Sequence, residues 1–397
     1  MRKRLYDAIF AHQLAQHRQM VWVTGPRQVG KTTSCRALAD SYHNWDNLDD
    51  RKLFLSGPAA VAEKDGLSRL SARPPVLVFD ELHKYRKWKG FLKGFFDTYS
   101  DKVRILVTGS SRMETYRRGG DSLMGRYFLY RMHPFSVGEI LRTDLSGKLI
   151  HSPVRPPEKE FNALWEHGGF PEPFLKREKT FSHRWHRLRR QQLLKEDLRD
   201  LTRIQELSHL EILAELLGER SAQQLSYSNI ADSVGASVDT IRRWIDTLES
   251  LHHGFRVRPW TASVARSLRK EPKWYLRDWA EVSNPGARAE TFIACHLLKA
   301  VEGWTDLGLG NFELRYLRDK EKREADFVVI KNRKPWFLAE VKKAEERLDP
   351  HLGHFQRQLK APHAFQVVLE MDYVQADCFS RGEPTVVPAR TFLSQLL

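Results

Sequence analysis

Cysteine is scarce in this chain. Cys35, Cys295 and Cys378 are its only three, they lie far apart, and none belongs to a CxxC pair. That excludes a disulfide framework and a zinc ribbon, and reads as buried thiols in a reducing compartment. Long apolar runs are also missing. None approaches the roughly 18 residues of a membrane span, and the opening stretch Arg2-Lys3-Arg4-Leu5-Tyr6-Asp7 lacks the apolar core of a signal peptide. The expected location is the cytoplasm, with no membrane partner. There is no internal repeat and no low-complexity tract. The histidines form no cluster with metal-ligand spacing, and His252-His253 reads as a turn. Acidic residues are outnumbered, 50 Asp and Glu against 65 Lys and Arg, for a net charge of +15. Such an excess concerns partners and not fold. Nucleic acid is its usual reason, although an anionic membrane or an acidic protein would give the same number.

What is present begins with a phosphate loop. With 41% hydrophobic residues in 397, the chain can build two to three domains with proper cores. The run Met20-Val21-Trp22-Val23 leads into Gly25-Pro26-Arg27-Gln28-Val29-Gly30-Lys31-Thr32-Thr33. This is GxxxxGK followed by a hydroxyl residue, in the strand–loop–helix context that the pattern requires. Loop N–H groups would wrap phosphate oxygens, Lys31 would reach the β and γ phosphates of ATP, and the Thr32 hydroxyl would bind Mg²⁺.

Two further strand ends point to the same place. Val76-Leu77-Val78-Phe79-Asp80-Glu81 reads as a buried parallel strand ending in two carboxylates. Asp80 would hold Mg²⁺ through water, and Glu81 would orient and polarise the attacking water. Val103 to Thr108 is a third strand, followed by Gly109-Ser110-Ser111, where Ser110 would sense the γ phosphate. Open α/β sheets bind ligands at these carboxyl ends.

These segments, with Gly125-Arg126-Tyr127 to Pro134-Phe135-Ser136-Val137-Gly138-Glu139-Ile140, resemble a widespread bacterial and archaeal family of AAA-type ATPases whose C-terminal domain has long been labelled as of unknown function. The resemblance covers nearly the whole chain, Lys273-Trp274-Tyr275-Leu276-Arg277-Asp278 included. The segment from Gly125 to Ile140 is its most specific part. Asp278 is followed by Trp279 where the family usually has a small residue. The resemblance implies a phosphate-facing Arg126, acting within the chain or as an arginine finger on a neighbour; the alternative is a structural salt bridge. It is compatible with self-association through the ATPase domain.

The rest of the chain divides into recognisable parts. Residues 1–142 hold the nucleotide motifs, and 143–206 read as a linker with connecting helices. A long amphipathic helix is expected over Ser182–Leu201, with Trp185, Leu188, Leu193 or Leu194, and Leu198 turned inward to pack on the ATPase. Arginines gather there and in the stretch from Arg112 to Arg131, on helix faces that suit nucleic acid or plain solvent. Residues 207–260 outline a winged helix-turn-helix: three short helices, Gly235 in the turn, Ser237 as a cap and a following strand. Ile241, Trp244, Ile245 and Leu248 would be core. Arg242 and Arg243 would face outward as DNA contacts, a thin reading surface; the same module also serves as packing between domains.

Residues 270–397 hold the sharpest chemical pattern. Arg323–Ile330 and Pro335–Lys342 read as a hairpin that places Asp326 beside Glu340 and Lys342, which share a face. The order Asp–x13–Glu–x–Lys is similar to PD-(D/E)xK nucleases, in which paired carboxylates bind Mg²⁺ at a phosphodiester and the lysine assists the attacking water. Glu290 on the preceding helix would add a metal ligand, and Gln358 lies near the place of an accessory glutamine. A salt-bridged β-ribbon is the alternative.

The sequence thus predicts an α/β protein: a P-loop AAA-type parallel-sheet domain, a winged-helix module and a C-terminal restriction-endonuclease-like domain. The function expected is ATP hydrolysis coupled to Mg²⁺-dependent cleavage or remodelling of DNA, with Mn²⁺ as a substitute at the nuclease-like site. The alternative is an ATP-dependent regulator or adaptor that binds protein partners through an inactive nuclease-like scaffold.

Overall fold

The computed structural model describes residues 2–109, 123–193, 207–261 and 271–397. The chain forms two compact units: Met1–His133 with Arg142–Ser146, and Pro134–Leu141 with Gly147–Leu397. The first domain read from the sequence ran to residue 142, but Pro134–Leu141 groups with the second unit.

In the first unit, strands β1 (Met20–Thr24), β2 (Ser41–Asn44), β3 (Val76–Asp80), β4 (Arg104–Thr108) and β5 (Tyr127–Arg131) form a sheet. Its order is β2-β3-β4-β1-β5, and every pairing is parallel. β1 and β3 are buried at each position, as unbroken apolar strands must be when both faces of a sheet are covered. Helix Trp88–Tyr99 turns Trp88, Phe91, Leu92, Phe95 and Phe96 inward, the spacing of a single helical face. These residues join Trp22, Phe54 and Phe79 in an aromatic-rich core. The carboxyl ends of β1, β3 and β4 therefore open on one edge of a rigid sheet.

The second unit carries β6 (Gln223–Gln224), β7 (Gly254–Pro259), β8 (Lys273–Leu276), β9 (Phe312–Arg318), β10 (Glu324–Lys331), β11 (Lys334–Lys342), β12 (His363–Val368) and β13 (Thr385–Pro388). They form one sheet, β13-β12-β11-β10-β9-β7-β8-β6. The β10–β11 hairpin turns at Asn332-Arg333, whose φ angles of 50° and 68° fit a two-residue turn of the primed type. Phe327 pairs with Ala339, so Asp326 stands opposite Glu340.

Helices Leu207–Glu219, Tyr227–Val234 and Val238–Ser250 pack on this sheet's edge strands through Ile230, Ile241, Trp244, Ile245, Leu248 and Trp274. Gly235, at φ 72°, closes the second helix, and the Ser237 hydroxyl accepts from the Thr240 amide to start the third. The wing strands β7 and β8 are antiparallel, and β7 also pairs parallel with β9. Winged helix and nuclease-like strands, read from the sequence as separate modules, thus share one sheet.

Two expectations are corrected here. The amphipathic helix spans Lys179–Gln192, residues 194–206 lying outside the described ones. Its inward face is Ser182, Trp185, His186 and Arg189, while Leu188 is 55% exposed. Buried Arg189 lies over the Phe170 ring at 4.0 Å and faces Glu281 at 3.6 Å, so this helix is satisfied within the second unit. Gln358 is exposed; the buried glutamine of helix Pro350–Leu359 is Gln356, which donates to the Gly382 carbonyl at 2.7 Å.

Candidate functional site

The loop from Gly25 to Thr33 follows β1, and its path is fixed by two glycines with positive φ. Gly25 has φ 140°, and a Cβ there would sit 2.3 Å from the Met132 carbonyl oxygen, so only glycine fits. Gly30 has φ 102° and caps helix Lys31–Arg36. Pro26 and Val29 are buried, whereas Arg27, Gln28 and Thr33 face outward. Arg4 braces the loop from behind, its buried guanidinium donating to the Val29 and His133 carbonyls at 2.7 Å each.

Lys31 is buried and donates to the Gly25 and Pro26 carbonyls at 2.8 and 2.7 Å. Burial lowers its pKa to about 8, against the opposing pull of Glu81 and Asp80. An ammonium held only by neutral carbonyls gains by meeting an anion. Beside it, Asp80 accepts from the Thr32 hydroxyl at 3.0 Å, from the Tyr42 hydroxyl at 2.5 Å and from the Thr108 hydroxyl. All three donors are neutral and exchangeable, so this donor set fits Mg²⁺ carried with a nucleotide: Thr32 and Asp80 would hold the ion, which when bound would neutralise phosphate charge. Glu81 is forced into left-handed backbone, φ 55°, a conformation that costs about 1–3 kcal/mol and gathers at functional sites. Its carboxylate lies 3.3 Å from the Lys84 ammonium.

The sequence alone does not single out Tyr42 or Arg4 for this site, and marks Thr108 only as part of a hydroxyl-bearing strand end. The roles of Tyr42 and Arg4 come from β2 lying beside β3 and from the first helix reaching back to the loop. Ser110 lies outside the described residues. Arg126 forms a two-point salt bridge with Asp97, at 2.6 and 3.0 Å. This is a salt bridge of the kind considered as the alternative for it.

The second constellation lies on β10, β11 and helix Pro285–Asp306. Asp326 and Glu340 face each other: the Val341 amide donates to Asp326 Oδ2 at 2.9 Å, and the Asp326 amide to Glu340 Oε2 at 3.2 Å. Lys342 donates to Glu340 Oε1 at 3.0 Å. Glu290 joins from the helix, accepting from the Tyr275 hydroxyl at 2.6 Å. At the centre is Lys273, which the sequence reading did not place in the site. Its Nζ lies 2.9 Å from Glu290, 2.5 Å from Glu324 and 3.1 Å from Asp326.

Burial disfavours that ammonium, but the acidic groups around it outweigh burial and hold its pKa well above the usual lysine range. Burial, then the Asp326 charge, raises Glu290 to about 8 and Glu340 to about 7. The expected metal set Glu290, Asp326 and Glu340 is therefore corrected. Glu290 Oε1 and both oxygens of Asp326 and of Glu340 are engaged by Lys273, Lys342, Tyr275 and two backbone amides, and the described residues hold no group of three or more His, Cys, Asp or Glu side chains placed to hold a metal ion. Mg²⁺ or Mn²⁺ does not fit this cluster as it stands.

Arg242 and Arg243 are both exposed on helix Val238–Ser250, and the Arg242 guanidinium lies 4.8 Å over the Tyr227 ring. Among the described residues no helix is long and apolar enough to cross a membrane.

A glycine loop, a lysine and a threonine facing an aspartate across parallel strands define a P-loop nucleotide site. Residues 17–141 match the family described as AAA domain, and this part of the chain is an AAA-type ATPase domain. Residues 158–282 match a domain of unknown function (DUF8612), which reaches Lys273 and stops short of Glu290. Uncharacterized proteins of Mycobacterium bovis and Mycobacterium tuberculosis are each 25% identical over 274 residues, 68% of this chain and 57% of theirs. The chain thus spans little more than half the length of these curated relatives. Solved structures with some likeness include the Aeropyrum pernix ORC1 protein in complex with DNA, at 13% identity, 72% of this chain, 91% of that one and a TM-score of 0.30. Another is a STAND protein with a tetratricopeptide repeat sensor from Pyrococcus horikoshii, at 14% identity, 75% of this chain, 47% of that one and a TM-score of 0.22. Scores this low carry no argument about architecture.

Proposed function

We propose that the chain hydrolyses ATP in the cytoplasm and uses the turnover to remodel DNA. The observation that carries the ATPase part is the meeting of Thr32 and Asp80 at 3.0 Å beside the buried Lys31 ammonium. In this reading Lys31 leaves the Gly25 and Pro26 carbonyls for the β and γ phosphates. Thr32 and Asp80 would hold Mg²⁺, and Glu81 would orient the attacking water and accept its proton. DNA as the partner is supported by the charge of +15 and by exposed Arg242 and Arg243 on the third helix of a winged module. Metal-dependent cleavage does not follow from this cluster, because the ammonium groups of Lys273 and Lys342 occupy its carboxylates.

The second reading is a regulator that binds protein partners. The thinness of the arginine surface favours it, since Arg242 is drawn over Tyr227. One experiment separates the two: ATP turnover of the full chain with Mg²⁺, with and without duplex or single-stranded DNA, at low and moderate salt. Turnover that DNA stimulates supports the proposal. Turnover indifferent to DNA, with no DNA retained at low salt, favours the protein-partner reading, and no turnover at all sinks both.

A further inference from the structure

We infer that Lys273 is the resident cation of the carboxylate cluster, and that its ammonium closes to divalent ions a metal site that Glu290, Asp326 and Glu340 would otherwise form. An ammonium has three donors. Those of Lys273 face Glu290, Glu324 and Asp326 at 2.9, 2.5 and 3.1 Å. The side chain is 5% exposed, whereas that of Lys342, on the cluster's rim, is 26% exposed. The two lysines therefore do different things. Lys342 touches Glu340 and Asp349 and leaves the centre open; Lys273 fills it.

The backbone keeps Lys273 where it is. It pairs with Val257 on β7, and all four residues of β8 are buried. Next to it the Trp274 ring lies against Gly254, where a Cβ would come within 2.2 Å of the indole. Tyr275 stacks on Phe255 at 5.5 Å and donates to Glu290. A lysine anchored on a fully buried strand, with each donor met by a carboxylate, is preorganised as a counter-ion. A divalent ion on the same oxygens would have to displace it or stand against a like charge in a site screened little by water.

Charge counting shows why the position matters. Glu290, Glu324, Asp326 and Glu340 carry up to four negative charges; Lys342 answers Glu340 and Arg318 answers Glu324 at 3.5 Å, which leaves Glu290 and Asp326 to Lys273. Without Lys273 the cluster is an excess of oxygen ligands, the chemistry that hard divalent cations take. With it, the cluster is a closed ion-pair network contributed by helix, hairpin and wing strand together.

The inference deepens the reading of the nuclease-like part and leaves the ATPase proposal aside. Its test uses nucleotide-free full chain and Mn²⁺ alone, read by calorimetry and by melting temperature. The wild type is expected to bind Mn²⁺ no differently from Asp326→Asn. Lys273→Met is expected to melt lower in chelator, to gain one Mn²⁺ site at least about tenfold tighter than any site of the wild type, and to recover melting temperature as Mn²⁺ is added, by mass action on the folded state. The gained site should vanish in Lys273→Met with Asp326→Asn. A saturable wild-type Mn²⁺ site that Asp326→Asn removes overturns the inference, as does a folded Lys273→Met that gains none. If Lys273→Met does not fold, the wild-type comparison with Asp326→Asn decides. ATP turnover and DNA binding are measured separately, so failure of either leaves the manganese result standing.

Discussion

Two buried lysines face aspartates at strand positions in this molecule, and they are held in opposite ways. Lys31 is bonded to the neutral carbonyls of Gly25 and Pro26, and its pKa falls to about 8. Lys273 is bonded to three carboxylates, and its pKa rises. The same side chain is thus poised at one site and committed at the other. A lysine that gives up only carbonyl contacts can turn to a phosphate; one that neutralises buried carboxylates cannot leave without exposing their charge. The aspartates differ in the same sense. Asp80 is surrounded by hydroxyls that a metal can replace, and Asp326 by an ammonium and an amide.

The contrast can be sharpened or broken by substitution. The largest effect is expected from Glu81→Gln: kcat for ATP falls by ~10²–10⁴, the range for losing a general base, while nucleotide affinity holds. Hydrolysis at the wild-type rate in Glu81→Gln would show that Glu81 is misassigned. Next, Lys31→Ala should weaken ATP binding about 100-fold, the loss of two charge-assisted bonds at about 1.5 kcal/mol each. Its melting temperature should not fall, since a desolvated ammonium has been removed. A fall would mean that Lys31 is as structural as Lys273, and the contrast between them would collapse.

DNA binding should show a log–log salt slope of about −4 to −5 if about five phosphates are contacted. Replacing both Arg242 and Arg243 by Ala should reduce it by up to about two units; an unchanged slope moves the contact elsewhere.

A smaller effect separates the lysines by pH. The folded pKa of Lys31, about 8, lies below the ordinary lysine value of 10.5. Between these values the unfolded chain binds more protons than the folded one, so this group's contribution to stability rises with pH across that window and is least below it. Phosphate should restore the proton. At pH 8 ATP binding should take up about half a proton more in the wild type than in Lys31→Ala, measured as the buffer dependence of binding enthalpy. Equal uptake in both proteins would mean that Lys31 is already fully charged. The smallest effect belongs to Arg126, whose guanidinium is met by Asp97. Mixing Arg126→Ala with Lys31→Ala protein should restore no ATPase activity, and recovery in the mixture would restore the shared-site role.

How much of this could be read in the sequence depends on how local each part is. Gly25 to Thr32 is one contiguous turn, and β3 announces itself as an apolar run ending in Asp80, so the nucleotide fold needed no tertiary knowledge. The hairpin that sets Asp326 against Glu340 was legible for the same reason, its turn lying between. Lys273 was not, because 53 residues separate it from Asp326 and only the register of β8 brings them together. One clue was available: Lys273 opens Trp274-Tyr275-Leu276, and a charge leading a wholly apolar strand must find partners if buried. The inward face of helix Lys179–Gln192 misled in another way. Arg189 replaces Leu188 on it because a guanidinium stem can lie on Phe170 while its head meets Glu281.

The seam between wing and hairpin sheet has a mechanical consequence. The β7–β9 ladder has two paired positions, Arg258 with Arg315 and Pro259 with Tyr316, extended by the Trp260 amide donating to the Tyr316 carbonyl at 2.7 Å. The neighbouring ladders are longer: β9 with β10 runs from Arg318 to Phe312. A load applied along the wing would fall in shear on these few backbone bonds and on the Lys273 ammonium, which ties β8 to Glu324 and Asp326 across the same line. Backbone pairing in the eight-stranded sheet is thus as thin along this line as at its β6–β8 edge, and the Trp260 amide should exchange its hydrogen sooner than amides inside β10.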